Sequence, residues 1–329
     1  MLLLTEQEVK NIISMQEAIN VIENAFKYYS MKKAKVPNRT QIGMSDKQSF
    51  ALFMPGCSES MDALGLKIAT VFPNNVKIGL KTTNAVVLLN SIKTGELVAI
   101  IGASYLTALR TGAASGVATK YLARENSNKV AIIGAGGQAK TQLEAMCCVR
   151  PIDEVRVYDI DQKRAVAYIN TMKKQLESKE INFILSDSIK EAVSGADIIC
   201  TATTSKTPLF KMKHLKKGVH INAVGAFTPY MQEIDEEIVV KADKIFVDSL
   251  EGALEEAGDL IIPINKGLIR KQDIFGEIGQ VIGGEKAGRE NDEELTIFKT
   301  VGISIQDIAV GSYVYHKAQK QGLGKMLQL

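Results

Sequence analysis

The stretch Lys129-Val-Ala-Ile-Ile-Gly-Ala-Gly-Gly-Gln-Ala139 decides the fold. Its apolar run ends directly in Gly134-x-Gly136-x-x-Ala139, and a helical pattern begins at Gln138. Strand, tight turn and helix in that order make a dinucleotide-binding crossover. Gly134 permits the turn, Gly136 lets the backbone approach a pyrophosphate, and the small side chain of Ala139 lets the helix pack closely on the strand. Free N–H groups at the helix start would face the pyrophosphate charge. A second apolar strand, Glu154-Val-Arg-Val-Tyr158, ends at Asp159, where the fingerprint expects an acid for the ribose hydroxyls. Asp161 follows. Two carboxylates with no basic residue before Lys163 would repel a 2′-phosphate, so NAD(H) is expected in preference to NADP(H). The alternative, in which Asp159 ends a strand and caps the next helix, stays open.

Outward from this unit the β and α patterns alternate at the pace of a doubly wound parallel sheet. Strands are expected at Val130–Gly134, Val155–Tyr158, Asn182–Leu185, Ile198–Thr201, His220–Val224 and Lys244–Asp248, with helices at Gln138–Cys148, Gln162–Glu180, Ser188–Val193 and Leu250–Ala257. Upstream, apolar alternation in Ser49–Met54, Leu66–Val71 and Asn84–Leu89 follows a helical Met15–Tyr29 and reads as an antiparallel or mixed sheet. Ser104–Arg124 is expected to be the helix that joins the two halves. Asp273–Glu290 reads as loop, and helical periodicity returns from about Ser304. The fold class is therefore α/β: a Rossmann domain over 123–302, and a discontinuous α+β substrate and dimerisation domain over 1–122 plus 303–329.

A chain of 329 residues with 46% apolar content can fill two cores. A net charge of +3 with acids and bases interleaved argues against a nucleic-acid or acidic-membrane surface. Met1-Leu-Leu-Leu4 runs at once into Thr5-Glu6-Gln7-Glu8 and lacks the pattern of a signal peptide, and no apolar run has the length of a membrane span. Cys57, Cys147, Cys148 and Cys200 have no metal-ligand spacing, and only three histidines accompany them, so no metal is expected. The cysteines read as reduced and the compartment as the cytoplasm.

Three cations outside the nucleotide motif could hold a substrate. Arg110 stands alone among small and apolar residues in Tyr105-Leu-Thr-Ala-Leu-Arg-Thr-Gly-Ala-Ala114, so it must meet either an internal carboxylate or an anionic ligand. Lys67 interrupts the apolar strand Leu64-Gly-Leu-Lys-Ile-Ala-Thr-Val71. It either snorkels to solvent or, near Arg110 and Arg39, has a lowered pKa suited to proton transfer.

The chain resembles the ornithine cyclodeaminase and mu-crystallin family through Leu66-Lys67, Phe72-Pro-Asn74, Gly79-Leu80 with Thr82, Thr94-Gly95, Leu106-Thr-Ala-Leu-Arg-Thr111, Gly134-x-Gly136-x-Gln138, His220-Ile-Asn-Ala-Val-Gly225, and Thr300-Val-Gly302 with Gln306-Asp307. The resemblance implies that Arg39, Lys67 and Arg110 bind an amino-acid carboxylate and polarise an imine. It implies cofactor contacts at Thr82, Thr111, Gly136, Gln138, Ala139, Asp159, Thr201, Val224, Gly225 and Thr300, which join Gly134 of the turn, with Val301 beside the substrate. It further implies a homodimer built through the first domain, to which the terminal helix returns. One position departs from the cyclodeaminase pattern: Phe227, in Gly225-Ala-Phe-Thr-Pro-Tyr230, stands where those enzymes carry a proton-exchanging aspartate. A phenyl ring is no base, so reduction of a ready-made α-imino acid is expected, with Phe227 as an apolar wall for the substrate. The alternatives are ornithine cyclodeamination, amino-acid dehydrogenation of the alanine type, and a ligand-binding role without turnover.

Overall fold

The structure, a computed structural model, describes residues 1–46 and 48–328. The chain divides into two compact units, Met1–Arg110 with Ile303–Leu329, and Thr111–Gly302.

The first unit is built on a mixed sheet. Its strands are β1 (Leu2–Leu4), β2 (Thr40–Gly43), β3 (Phe50–Ser58), β4 (Ala63–Val71), β5 (Thr83–Asn90) and β6 (Leu97–Gly102). The short strand Lys325–Met326 forms one edge, and the order continues β1, β6, β5, β4, β3, β2. All neighbours are antiparallel except β1 and β6, which run parallel. Helix α1 (Glu6–Ile12) is followed by α2 (Met15–Ser30), which opens with a capping box between Ser14 and Glu17. Helix α2 buries Met15, Ala18, Ile19, Ile22, Ala25 and Phe26, an apolar stripe at helical spacing. The C-terminal helix Ser304–Gln321 lies on β3, β4 and β5 beside α2. Its approach is close: a Cβ on Gly56 would sit 2.7 Å from Ser304 Oγ, and that hydroxyl donates to the Pro55 carbonyl at 2.5 Å.

The second unit carries an eight-stranded sheet. Its strands are β7 (Lys129–Ile133), β8 (Glu154–Tyr158), β9 (Asn182–Leu185), β10 (Ile198–Thr201), β11 (His220–Ala223), β12 (Lys244–Val247), β13 (Gly276–Glu277) and β14 (Thr296–Lys299). Their order is β13-β12-β14-β11-β10-β7-β8-β9, and every pairing is parallel. The fold is α/β with a doubly wound parallel sheet. From β7 the chain winds out through β8 and β9, then returns to β10 on β7's other side, which makes the β7/β10 boundary the switch point where such sheets bind ligands. Helix α3 (Ser104–Leu122) leads into β7, and α4 (Ala139–Val149) follows it. The two helices meet at Gly112, where a Cβ would stand 2.3 Å from the Thr141 carbonyl oxygen, so the contact demands glycine.

Two differences from the sequence reading matter. Strand β14 lies mid-sheet between β11 and β12, whereas Lys244–Asp248 was expected to be the last strand. Thr296-Ile-Phe-Lys299 is short, and its terminal lysine hides the apolar pattern. That lysine is fully buried and donates to Asp259 at 3.0 Å. The expected loop Asp273–Glu290 contains β13 and a helical turn, Ile278–Ile282.

Candidate functional site

The glycine turn is drawn onto the end of β8. Gly134 adopts φ of 96°, its N–H donates to the Tyr158 carbonyl at 2.8 Å, and a Cβ there would strike the Ala202 carbonyl oxygen at 2.7 Å. Gly136 differs: a Cβ built on it would meet no atom within 4 Å. The N–H groups of Gly136, Gly137 and Gln138 have no acceptor among the described residues. The Oε1 atom of Gln138 is buried without a partner. Ala139, the fully buried first residue of α4, packs this helix onto the sheet. An open floor and unspent donors at a helix start fit the pyrophosphate of a dinucleotide.

Asp159 does more than end its strand. One carboxylate oxygen accepts the Ala135 N–H at 2.8 Å and the other accepts the Asp161 N–H, also at 2.8 Å, so it ties the glycine turn to the turn after β8. Asp161 caps α5 (Gln162–Gln175). Arg164 bends back from the first turn of α5 to within 3.7 Å of both Asp159 and Asp161. After Asp159 the sequence has no basic residue before Lys163, yet the fold brings Arg164 to both acids, because a residue in the first turn of a helix lies over its cap.

The other switch-point loops are fixed by two buried acids that carried no role in the sequence reading. Glu233 accepts five hydrogen bonds: from Thr201 Oγ1, from Thr203 N and Oγ1, and from the N–H groups of Gly225 and Ala226, at 2.7 to 3.1 Å. Burial, and then the charge of Asp259, push its pKa up. Val224 and Gly225 therefore leave β11 in one conformation, and a Cβ on Gly225 would lie 2.2 Å from the Thr203 carbonyl oxygen. Asp248 accepts from Thr300 Oγ1 at 2.5 Å, Val301 N at 3.1 Å and Gly302 N at 2.7 Å, which shapes the segment after β14. Phe227 projects from the loop after β11 with 40% of its surface exposed. Glu233, the acid nearest it in sequence among those buried, has its oxygens committed to the five donors. Asp235 caps the helix Glu236–Lys241 and pairs with Lys211. Of the expected cofactor residues, Thr111, on α3, belongs with the others to this second unit, whereas Thr82 belongs to the first, just before β5.

The first unit holds the cations. Alternation along β4 turns Ala63, Gly65, Lys67 and Ala69 to the buried face, so Lys67 points inward with 3% of its surface exposed and does not snorkel. Its Nζ lies 2.9 Å from Asp307 Oδ1. Arg110, on α3, donates from Nε to the same oxygen at 3.1 Å and from Nη1 to Gln306 Oε1 at 2.6 Å. The internal carboxylate foreseen as one option for Arg110 is thus Asp307, yet Arg110 Nη2 keeps no hydrogen-bond acceptor among the described residues. The Lys67 pKa is lowered to about 8. Burial is the largest cause, the charges of Arg110 and then Arg39 add to it, and Asp307 opposes it. Gln306 and Asp307 were legible as a motif without a role. The signal was an acid inside the apolar run Ile303–Gly311, since a buried carboxylate requires a cation.

A family model, the ornithine cyclodeaminase/mu-crystallin family, matches residues 1–322. The chain belongs to this family. It is 44% identical to a Delta(1)-pyrroline-2-carboxylate reductase of Bacillus cereus, with the whole of both chains covered. The structure of the Thermococcus litoralis Delta(1)-pyrroline-2-carboxylate reductase in complex with NADH and L-proline superimposes with a TM-score of 0.95 at 43% identity, covering 99% of this chain and all of that one. An archaeal alanine dehydrogenase dimer with bound NAD gives a TM-score of 0.92 at 40% identity, with 99% and 98% of the chains covered.

Proposed function

We propose that this protein is an oxidoreductase that reduces a small α-imino acid, foremost pyrroline-2-carboxylate, to the L-amino acid with a reduced nicotinamide cofactor. The observation that carries the reading is Lys67, a buried lysine whose pKa is lowered to about 8 by burial and by the charges of Arg110 and Arg39. Arg110 Nη2 and Arg39 take the substrate carboxylate, for which a guanidinium is suited in shape and charge. Lys67 gives its proton to the imine nitrogen as the C=N electron pair moves there. When bound, the cofactor would supply the hydride for the α-carbon. The dinucleotide would be held by the Gly134–Ala139 turn, with Asp159 for its ribose hydroxyls and Thr82, Thr111, Thr201, Val224, Gly225 and Thr300 as further contacts. Phe227 and Val301 line the substrate's apolar side.

Phe227 favours reduction over cyclodeamination. Oxidation of an ammonium substrate needs a base to free the nitrogen lone pair, and a phenyl ring supplies none. Amino-acid dehydrogenation keeps a claim because of the likeness to the alanine dehydrogenase. The deciding experiment follows NADH absorbance with pyrroline-2-carboxylate, beside pyruvate with ammonia, and assays ammonia release from L-ornithine with NAD⁺. Rapid NADH loss with the imine alone is the expected result; ammonia and proline from ornithine would overturn the proposal.

NADH is the preferred cofactor in this reading. Asp159 and Asp161 outnumber Arg164 by one charge, which disfavours a 2′-phosphate. Replacing Asp159→Ser leaves Arg164 less neutralised, so the ratio of kcat/KM for NADH over NADPH is expected to fall. An unchanged ratio would remove Asp159 as the discriminator. The protein acts as a homodimer, and with its free cysteines it works in the cytoplasm.

A further inference from the structure

We infer that Asp307 is a positioning residue for the reaction proposed above, on which this inference rests: through one carboxylate oxygen it holds Lys67 as an ammonium and orients the Arg110 fork toward the substrate carboxylate. The geometry is asymmetric. Both cations converge on Oδ1, at 2.9 and 3.1 Å, while Oδ2 is buried with no hydrogen-bond partner. Asp307 itself is fully buried on the first turn of the helix Ser304–Gln321. A carboxylate that served only to fill this core would be costly, since an apolar side chain packs there without desolvation. What Asp307 supplies is negative charge beside Lys67 and an acceptor for Arg110 Nε.

The charged groups around Lys67 come from three other elements. Asp307 faces it from the C-terminal helix, Arg110 from α3, and Arg39 from the segment before β2. Its cross-strand partners, Met54 on β3 and Val87 on β5, carry no charge. Burial and the two arginines favour the neutral amine, and Asp307 favours the ammonium. A neutral Lys67 has no proton to give to the imine nitrogen. Arg110 is constrained by the same residue, because Nε on Asp307 and Nη1 on Gln306 define the plane of the guanidinium and leave Nη2 for the ligand.

The test compares wild type with Asp307→Asn, which keeps the shape and loses the charge, and Asp307→Glu, which restores it. In wild type, kcat/KM for the imino acid is expected to fall as pH rises through about 8, where Lys67 loses its proton. In Asp307→Asn this limb should move to lower pH by roughly one to three units, the usual effect of an opposite charge at hydrogen-bonding distance. Asp307→Glu should bring it back at least in part. NADH binding, followed by fluorescence, should be unchanged in both. A second measurement needs no turnover: the 13Cε resonance of Lys67, identified by its loss in Lys67→Arg, is titrated in wild type and Asp307→Asn. A lower midpoint in the variant supports the inference, and an unchanged midpoint overturns it even if kcat falls. Should wild type reduce no imine, the proposed function falls while the Lys67 titration still decides the role of Asp307. If Asp307→Asn and the fallback Asp307→Ser both lose NADH binding, the residue is structural and the inference is wrong.

Discussion

Lys67 occupies a position that an apolar side chain would fill in an ordinary strand, and the cost of burying its charge is met only partly by Asp307. That imbalance lowers its pKa and gives it a proton it can release. Replacing Lys67→Met should therefore reduce turnover by about 10²- to 10⁴-fold, the usual contribution of a placed proton donor, while NADH binding persists. Near-normal turnover in that variant would remove Lys67 from the chemistry. The sign of the pH dependence follows from the proposed role: with the ammonium as the proton donor in reduction, activity is expected below about pH 8 and its loss above it. A rate that rose through this region would mean that Lys67 acts as a base. From the sequence, an unusual lysine and an isolated arginine were visible in apolar surroundings. Which way each pointed was not, because a lysine on a strand can reach solvent by its long stem until some element covers that face.

Two glycines in one turn show how differently the same residue type can serve an element. Gly134 needs its positive φ and its missing Cβ to let β7 turn against Ala202, whereas Gly136 faces open space. Gly134→Ala is expected to destabilise the fold by roughly 1–3 kcal/mol through backbone strain and overpacking. Gly136→Ala should leave the melting temperature close to wild type and weaken NADH binding. Thermal melts and NADH titration of the two variants check this, and equal loss of stability in both would mean that Gly136 is structural as well. The glycine turn was readable because its requirements are local: a strand, a turn and a helix in sequence. Strand β14 was not, since four residues give little periodicity, and its tolerance of Lys299 depends on Asp259, 40 positions away.

Taken as a whole molecule, the first unit exposes apolar side chains that a lone chain would hide. Val76 and Ile78 are each 70% exposed and Leu80 is 59% exposed, all in the connection between β4 and β5. Such a patch suits a partner surface, and the proposed homodimer is expected to use it. Sedimentation velocity should give twice the 35.8 kDa chain mass, and Val76→Glu with Ile78→Glu should shift the protein toward monomer. A wild-type protein that sediments as a monomer at micromolar concentration would exclude this arrangement.

The amino-acid sequence by itself determined the parallel α/β sheet, the dinucleotide turn, the acid at the end of β8 and the family, because strand and helix periods and glycine spacing are local properties. Phe227, a departure from the cyclodeaminase pattern at a single position, was legible there as well. Only the tertiary structure decided that Lys67 faces inward, that Arg164 folds back over Asp159, and that Lys67 and Arg110 share one oxygen of a residue 240 and 197 positions further along the chain. The physical reason is that burial and charge pairing depend on which elements pack together. Here a strand, a helix and the returning C-terminal helix meet around one carboxylate, and no local pattern records that meeting.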